Sequence, residues 1–474
     1  MNSEKYQIDM CRGPLFGKII LFALPLMATY ILQLLFNAAD LVVIGHYASH
    51  EAMAAIGSTL NINSLIINLF IGLSIGSNVL TARYAGSGEK DKISRTVHTS
   101  MLLALAGGIV LMVIALFAAK PLLILMKTPE EILPRSCTYI RICFASIPMI
   151  MLYNFGCAIL RAVGDTRRPL FFLITAGIIN VLLNLFFVIY CGMDVEGVAL
   201  ATAVSHTVSA LLILRTLMRS REAYRLIIRN LKIDRAIFLD ILKIGIPAGF
   251  QSSCFAVSNM LIQSSINSFG SFAMAGTTAV IGLEGIVYVC SYAFHQTAIS
   301  FVSQNLGGRK YKRILRSLYG CFICGCICSE IMGLFFCYFS REVLGFFTPD
   351  EQVIEWGILR IKYMFPFYGI CGIMDTASGG LRGLGYSGTS TMISFLGACV
   401  FRVFWVLMVL PGHHTMECLL VSYPLSWLLT AVMGTCTLLF VYHSMLRKNC
   451  WRKPVFSTLR PGMARGLRYI GGAK

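Results

Sequence analysis

Gln33, Asn37 and Asp40 stand in an otherwise apolar stretch at spacings i, i+4 and i+7. On a helix that spacing puts all three on one face. Asn180 and Asn184, in a later apolar stretch, are again four residues apart. Together these side chains can form an oxygen-rich pocket holding a single carboxylate. In surroundings of low dielectric such a carboxylate can take up and release a proton. The same oxygens suit Na+, because hard cations take oxygen ligands. The chemistry on offer is ion binding.

Glu284, Glu330 and Asp375 also fall inside apolar stretches. A charged side chain at the centre of a membrane helix costs about 2.5–3.5 kcal/mol on insertion scales, so each needs a function or a partner. Glu284, in GLEGIVY, either faces a cleft and attracts cationic substrates or pairs with a polar group on a neighbouring helix. Asp375 is one turn from a Gly-rich helix end that leads to Arg382 and can pair locally. Glu330 finds its partner within the second half. Gln33, Gln251, Glu284 and Asp375 are candidates to line a substrate cleft. Arg141 and Arg402 are the candidate intramembrane cations, few in number.

His98, His206 and His295 are isolated in sequence, and there is no HExxH or Gly-Lys-Ser/Thr phosphate loop. Cys321, Cys324, Cys326 and Cys328 cluster at the start of an apolar stretch, where free Cys packs as a small hydrophobe. The reading is therefore of a non-enzyme with no catalytic residues, no bound metal and no cofactor. Energy for work would come from an ion gradient, H+ or Na+.

The elements that position these residues follow from composition. Hydrophobic residues are 57% of the 474 and charged residues 13%, where a soluble protein carries roughly 25% charged. The apolar residues fall into twelve runs of about 20, enough to cross a ~30 Å hydrocarbon core as helices. The runs lie near 15–40, 53–81, 97–119, 136–160, 169–191 and 195–214, then near 244–268, 273–303, 317–340, 356–381, 389–410 and 418–443. The expected class is an all-α integral membrane protein. Its organisation is a cytoplasmic N-terminus (1–14), a first six-helix bundle (15–214), a basic linker (215–243), a second bundle (244–446) and a basic tail (447–474). No cleavable signal peptide is evident.

The net charge of +18 resembles a nucleic-acid signal until it is mapped. Eight Lys and Arg fall in 215–243, five in 306–316 and eight after residue 446, all on one side of the membrane if the spans alternate. The positive-inside rule makes that side cytoplasmic, with both termini there. The expected setting is the cell membrane, with lipid contacts, no nucleic acid and no obligatory protein partner. The linker RTLMRSREAYRLIIRNLKID is either an amphipathic surface helix or a solvated connection.

The halves repeat at an offset near 220 residues. Pro25 matches Pro247, Asn37 matches Asn259, Ala52-Met53-Ala54 matches Ala273-Met274-Ala275, and Thr128-Pro129 matches Thr348-Pro349. Leu160-Arg161-x-x-Gly164 matches Leu381-Arg382-x-x-Gly385. Each half has an even number of spans, so the repeats are parallel and face each other across a cleft. Pro25 and Pro247 favour kinks in equivalent first helices, as do Pro148 and Pro366 in the fourth. Asp40 corresponds to Ile262 and, at an offset of 221, Asn180 to Phe401 and Asn184 to Trp405, so the polar pocket belongs to the first half and its counterpart reads as apolar.

Asn37-x-x-Asp40-x-x-x-Ile44-Gly45, Gly72-Leu73-Ser74-x-Gly76, Leu160-Arg161-x-x-Gly164-Asp165 and Gly197-x-Ala199-Leu200-Ala201-Thr202 resemble motifs of the multidrug and toxic compound extrusion (MATE) transporters. In the second half Pro247-Ala248-Gly249, Gln304-Asn305-Leu306-Gly307 and Leu381-Arg382-Gly383 fit as well. The resemblance implies two six-helix lobes and antiport of small organic cations against H+ or Na+. It also implies an ion pocket at Asp40, Asn180, Asn184 and Thr202, beside Asn37. Several members carry Asp at the position of Asn184, and some carry an acid in the seventh helix, where 248–264 has none. The alternative is a lipid-linked oligosaccharide flippase of related fold, which would call for an Arg-lined cavity.

Overall fold

The computed structural model describes residues 6–47, 50–126 and 128–450. Ile44 and Gly45 lie where only the backbone is described, and the tail beyond 450 lies outside the described residues. The chain divides into two compact units, Met1–Thr435 and Cys436–Lys474. The described part of the second is helical, ending at Cys450.

Twelve transmembrane helices make two six-helix repeats. In the first are α1 (Leu15–Tyr47), α2 (His50–Ser87), α3 (Lys90–Leu125), the two-part α4 (Leu133–Ala145 and Ile147–Ala162), α5 (Arg167–Tyr190) and α6 (Val195–Arg219). In the second are α7 (Arg235–Asn267), α8 (Ser271–Gly307), α9 (Tyr311–Tyr338), the two-part α10 (Glu351–Met364 and Tyr368–Leu384), α11 (Ser387–Gly412) and α12 (Met416–Cys450). Among the described residues, eight of these are apolar enough to span a membrane alone, and the bent α4 makes a ninth. The other three, α2, α7 and α10, do not reach that measure over their described residues. From Tyr368 to Leu384 almost every residue of α10 is buried, so it has little lipid-facing surface to keep apolar.

The prolines divide by position. Pro25 and Pro247 sit inside unbroken helices. The carbonyl of Pro25 accepts from Thr29 Oγ1 at 2.7 Å, and that of Pro247 from Thr391 Oγ1 at 2.8 Å. The breaks occur at the other pair. Pro148 opens the second part of α4, which bends 43° from the first. Pro366 lies in the 3-10 turn Phe365–Phe367 that interrupts α10.

The linker is not an amphipathic helix. Between Arg219 and Arg235 it is irregular apart from the turn Ile228–Asn230. Bonds to α3 hold it instead. The Ile227 N–H donates to His98 Nε2 at 3.1 Å and the Asp234 N–H to Thr99 Oγ1 at 3.0 Å, while Tyr224 and Leu226 are buried. Asp234 then caps α7, accepting from the Ala236 and Ile237 amides at 3.0 and 3.2 Å.

The halves meet closely at the end that carries the basic loops. Gly72 on α2 abuts Gly249 on α7, and a Cβ on Gly245 would lie 2.7 Å from the Leu73 Cα. Gly86 abuts Gln304, Gly307 abuts Arg83, and Ser300 donates to Asn78 at 3.2 Å. Residues 6–13 bridge the same end. Ile8 N–H donates to the Gly164 carbonyl at 3.1 Å, and Met10 N–H to Gln304 Oε1 at 3.0 Å. Asn305 and Arg313 return bonds to the Met10 carbonyl at 3.2 and 2.9 Å.

Candidate ion pocket and a cationic counterpart

Four polar side chains of the first half form a chain across three helices. Asn184 Nδ2 on α5 donates to Asp40 Oδ1 on α1 at 2.6 Å. It also lies 3.4 Å from Asn180 Oδ1, and Asn180 Nδ2 is 3.4 Å from Thr202 Oγ1 on α6. Asn184 is fully buried and Asn180 5% exposed. Asn184 Oδ1 has no donor among the described residues, which leaves a free acceptor beside the carboxylate. Gly177 on α5 meets the ring of Phe36 on α1 with no room for a Cβ, and this close crossing brings Asn184 within reach of Asp40. A π-helical turn, Phe186–Tyr190, begins two residues beyond Asn184.

Asn37 is exposed and Gln33 half-buried, and neither joins this chain of bonds. Glu284 on α8 accepts from Arg360 Nη2 on α10 at 2.7 Å. Glu330 accepts from the Gly369 N–H at 2.8 Å. Gln251 Oε1 accepts from Arg382 Nη2 at 2.8 Å. Arg382 also lies 3.3 Å from His295 Nε2, and His295 Nδ1 is 2.8 Å from the Asp375 carbonyl. A carbonyl cannot donate, so Nδ1 carries the proton and Nε2 accepts from the guanidinium. Asp375 Oδ2 is buried without a partner among the described residues. Arg141 is exposed.

The counterpart of the pocket is not apolar. Arg402 on α11 is 3% exposed and donates from Nε to Ser426 Oγ at 2.9 Å and from Nη1 to Asn259 Oδ1 at 3.2 Å. Its guanidinium stacks 4.3 Å from the ring centre of Tyr423, with that of Arg360 at 5.5 Å. Asn259 is the repeat partner of Asn37, and Tyr423 that of Thr202. The comparison at an offset of 221 missed this by one residue: the offset of 222 that pairs Pro25 with Pro247 and Asp40 with Ile262 sets Asn180 opposite Arg402. Arg402 follows the π-helical turn Phe395–Val400 and is buried, next to the less buried Phe401. With Arg360 and Arg382, buried at 4% and 5%, the second half buries three arginines among the described residues, where the sequence pointed to Arg402 and the exposed Arg141. Among the described residues no group of three His, Cys, Asp or Glu could hold a metal ion.

The MatE family model matches twice, over residues 25–186 and 247–407, once in each repeat. The chain belongs to the MatE family. Its relatives include the probable multidrug resistance protein YoeA of Bacillus subtilis, 25% identical, with 70% of this chain and 74% of that one aligned. The multidrug export protein MepA of Staphylococcus aureus is 22% identical over 85% of this chain and 89% of its own. The FAD transporter of Shewanella oneidensis is 26% identical over 76% and 80%. An outward-facing multidrug resistance MATE transporter structure superposes at a TM-score of 0.86, with 21% identity over 92% of this chain and 98% of that one. These MatE matches cover the repeats that carry both Asp40 and Arg402.

Proposed function

We propose that this MatE chain is a secondary active antiporter that exports small organic cations across the cell membrane, driven by H+ or Na+ binding at Asp40. The hydrogen bond from buried Asn184 to Asp40 carries the reading. It holds a carboxylate among amide and hydroxyl oxygens inside a helix bundle, where a proton or Na+ can neutralise it. The relatives named for multidrug resistance and export support the substrate class. The basic loops make the closed end cytoplasmic, with both termini there. This is then the outward-facing state, in which the cytoplasmic path is sealed by glycine contacts and residues 6–13.

The test is efflux of a cationic dye from everted vesicles or proteoliposomes, with H+ and Na+ gradients imposed separately. Transport driven by one gradient supports the reading and names the ion. Transport indifferent to both would remove antiport.

A further inference from the structure

The second half buries a charge that the Asp40 cycle does not use. Arg360 and Arg402 both lie against Tyr423, and one carboxylate, Glu284, faces them through Arg360. Arg402 spends its donors on the neutral acceptors Ser426 and Asn259. Arg360 Nε and Nη1 are buried and have no acceptor among the described residues. Two positive charges thus face one negative charge, with guanidinium donors to spare. An uncompensated buried charge is expensive unless something pairs with it.

We propose that this cluster binds a small monovalent anion, either the carboxylate of an organic solute or chloride, between Arg360 and Arg402. A bound anion balances the charge at two against two and supplies the missing acceptor. Guanidinium presents paired N–H donors that match a carboxylate. The rings of Tyr423 and Trp427, 6.1 Å apart, offer an apolar wall for the rest of an aromatic acid. The Glu284 side chain keeps 21% of its surface exposed against 5% for Arg360, so the approach lies on its side. No proton or Na+ step is involved, and the site stands independently of the Asp40 reading.

Thermal unfolding of the purified full chain tests it. Sodium benzoate is titrated against uncharged benzamide, and sodium chloride against sodium sulfate, at constant ionic strength. A saturable rise in Tm is expected with benzoate, chloride or both, and none with benzamide or sulfate; the arm that responds names the source. Arg402→Gln removes the excess charge and keeps an amide donor. It should unfold no lower than the parent without anion and lose the anion-dependent rise. Glu284→Gln leaves both cations unopposed and should half-saturate at a several-fold lower anion concentration. Asp40→Asn should keep the parent response, which separates this site from the ion pocket. No rise in either arm, or a rise undiminished in Arg402→Gln, would overturn the proposal.

Discussion

Arg402 lies over Tyr423 with its guanidinium carbon 4.3 Å from the ring centre, in the place where the first repeat sets Asn180 against Thr202. The two repeats share their helices, glycine contacts and fourth-helix breaks, yet one pocket is built on the acid Asp40 and its counterpart on the base Arg402. Packing constrains both copies of a duplicated fold alike, because the halves must close on each other. Side chains inside each bundle touch only their own copy and are free to diverge.

Asp40→Asn keeps the size and polarity of the side chain and removes its ionisation. With Asn184 still in place the variant should insert and fold as the parent does. Gradient-driven dye transport should fall to background while dye binding persists. Full gradient coupling in a stably inserted Asp40→Asn protein would remove Asp40 from its role.

Removing one member of a buried ion pair strands the other, at a cost of roughly 3–5 kcal/mol. Glu284→Gln should therefore lower the melting temperature markedly in anion-free buffer, because Arg360 loses its 2.7 Å partner. Adding Arg360→Gln should recover much of that loss, since Arg360 is then no longer stranded and Arg402 keeps the neutral acceptors it has in the parent. A double-mutant cycle on unfolding measures the coupling, and additive effects would show that the pair does not interact.

Much of this was legible from residue spacing. The repeat and the Asp40–Asn184–Asn180 pocket depend on regular helices, where periodicity holds and the offset stays near 220. The cationic counterpart was hidden because the offset drifts between 220 and 222 along the repeats, and a shift of one residue exchanges Arg402 for Phe401 opposite Asn180. Arg382 was hidden for a different reason. The apolar run stops at residue 381, whereas α10 runs on to Leu384 and buries Arg382 against His295 and Gln251. The linker was ambiguous because its basic residues suit a surface helix, while the bonds to His98 and Thr99 that fix its path come from distant sequence.

Gly245 and Gly282 make a matched pair of tests. A Cβ on Gly245 meets the backbone of Leu73 at 2.7 Å, and backbone cannot step aside as a side chain can. Overpacking costs about 1–3 kcal/mol, and here it falls on the contact that closes the basic end. Gly245→Val should cut transport at least several-fold at normal membrane abundance. Gly282→Val, with nothing within 4 Å, should transport as the parent does. Equal behaviour of the two would show that closure does not depend on the α2–α7 contact.

Gln304 ties residues 6–13 to both repeats. Its Oε1 accepts from the Met10 N–H at 3.0 Å and its Nε2 lies 3.4 Å from the Ala162 carbonyl. Gln304→Leu leaves the buried Met10 N–H without an acceptor, at a cost of about 1–3 kcal/mol. That cost falls on the closed end alone, and 1–3 kcal/mol shifts an equilibrium by about 5- to 150-fold. Cys11 reports the opening, because its Sγ rests 3.5 Å from the Gln304 carbonyl in a half-buried site. Its thiol is also held above its ordinary pKa, first by burial and then by Asp9, so little reactive thiolate forms while the end is closed. Alkylation of Cys11, followed by mass spectrometry of its peptide, should be several-fold or more faster in Gln304→Leu than in the parent. An unchanged rate would mean that these residues lie on the closed end without holding it shut.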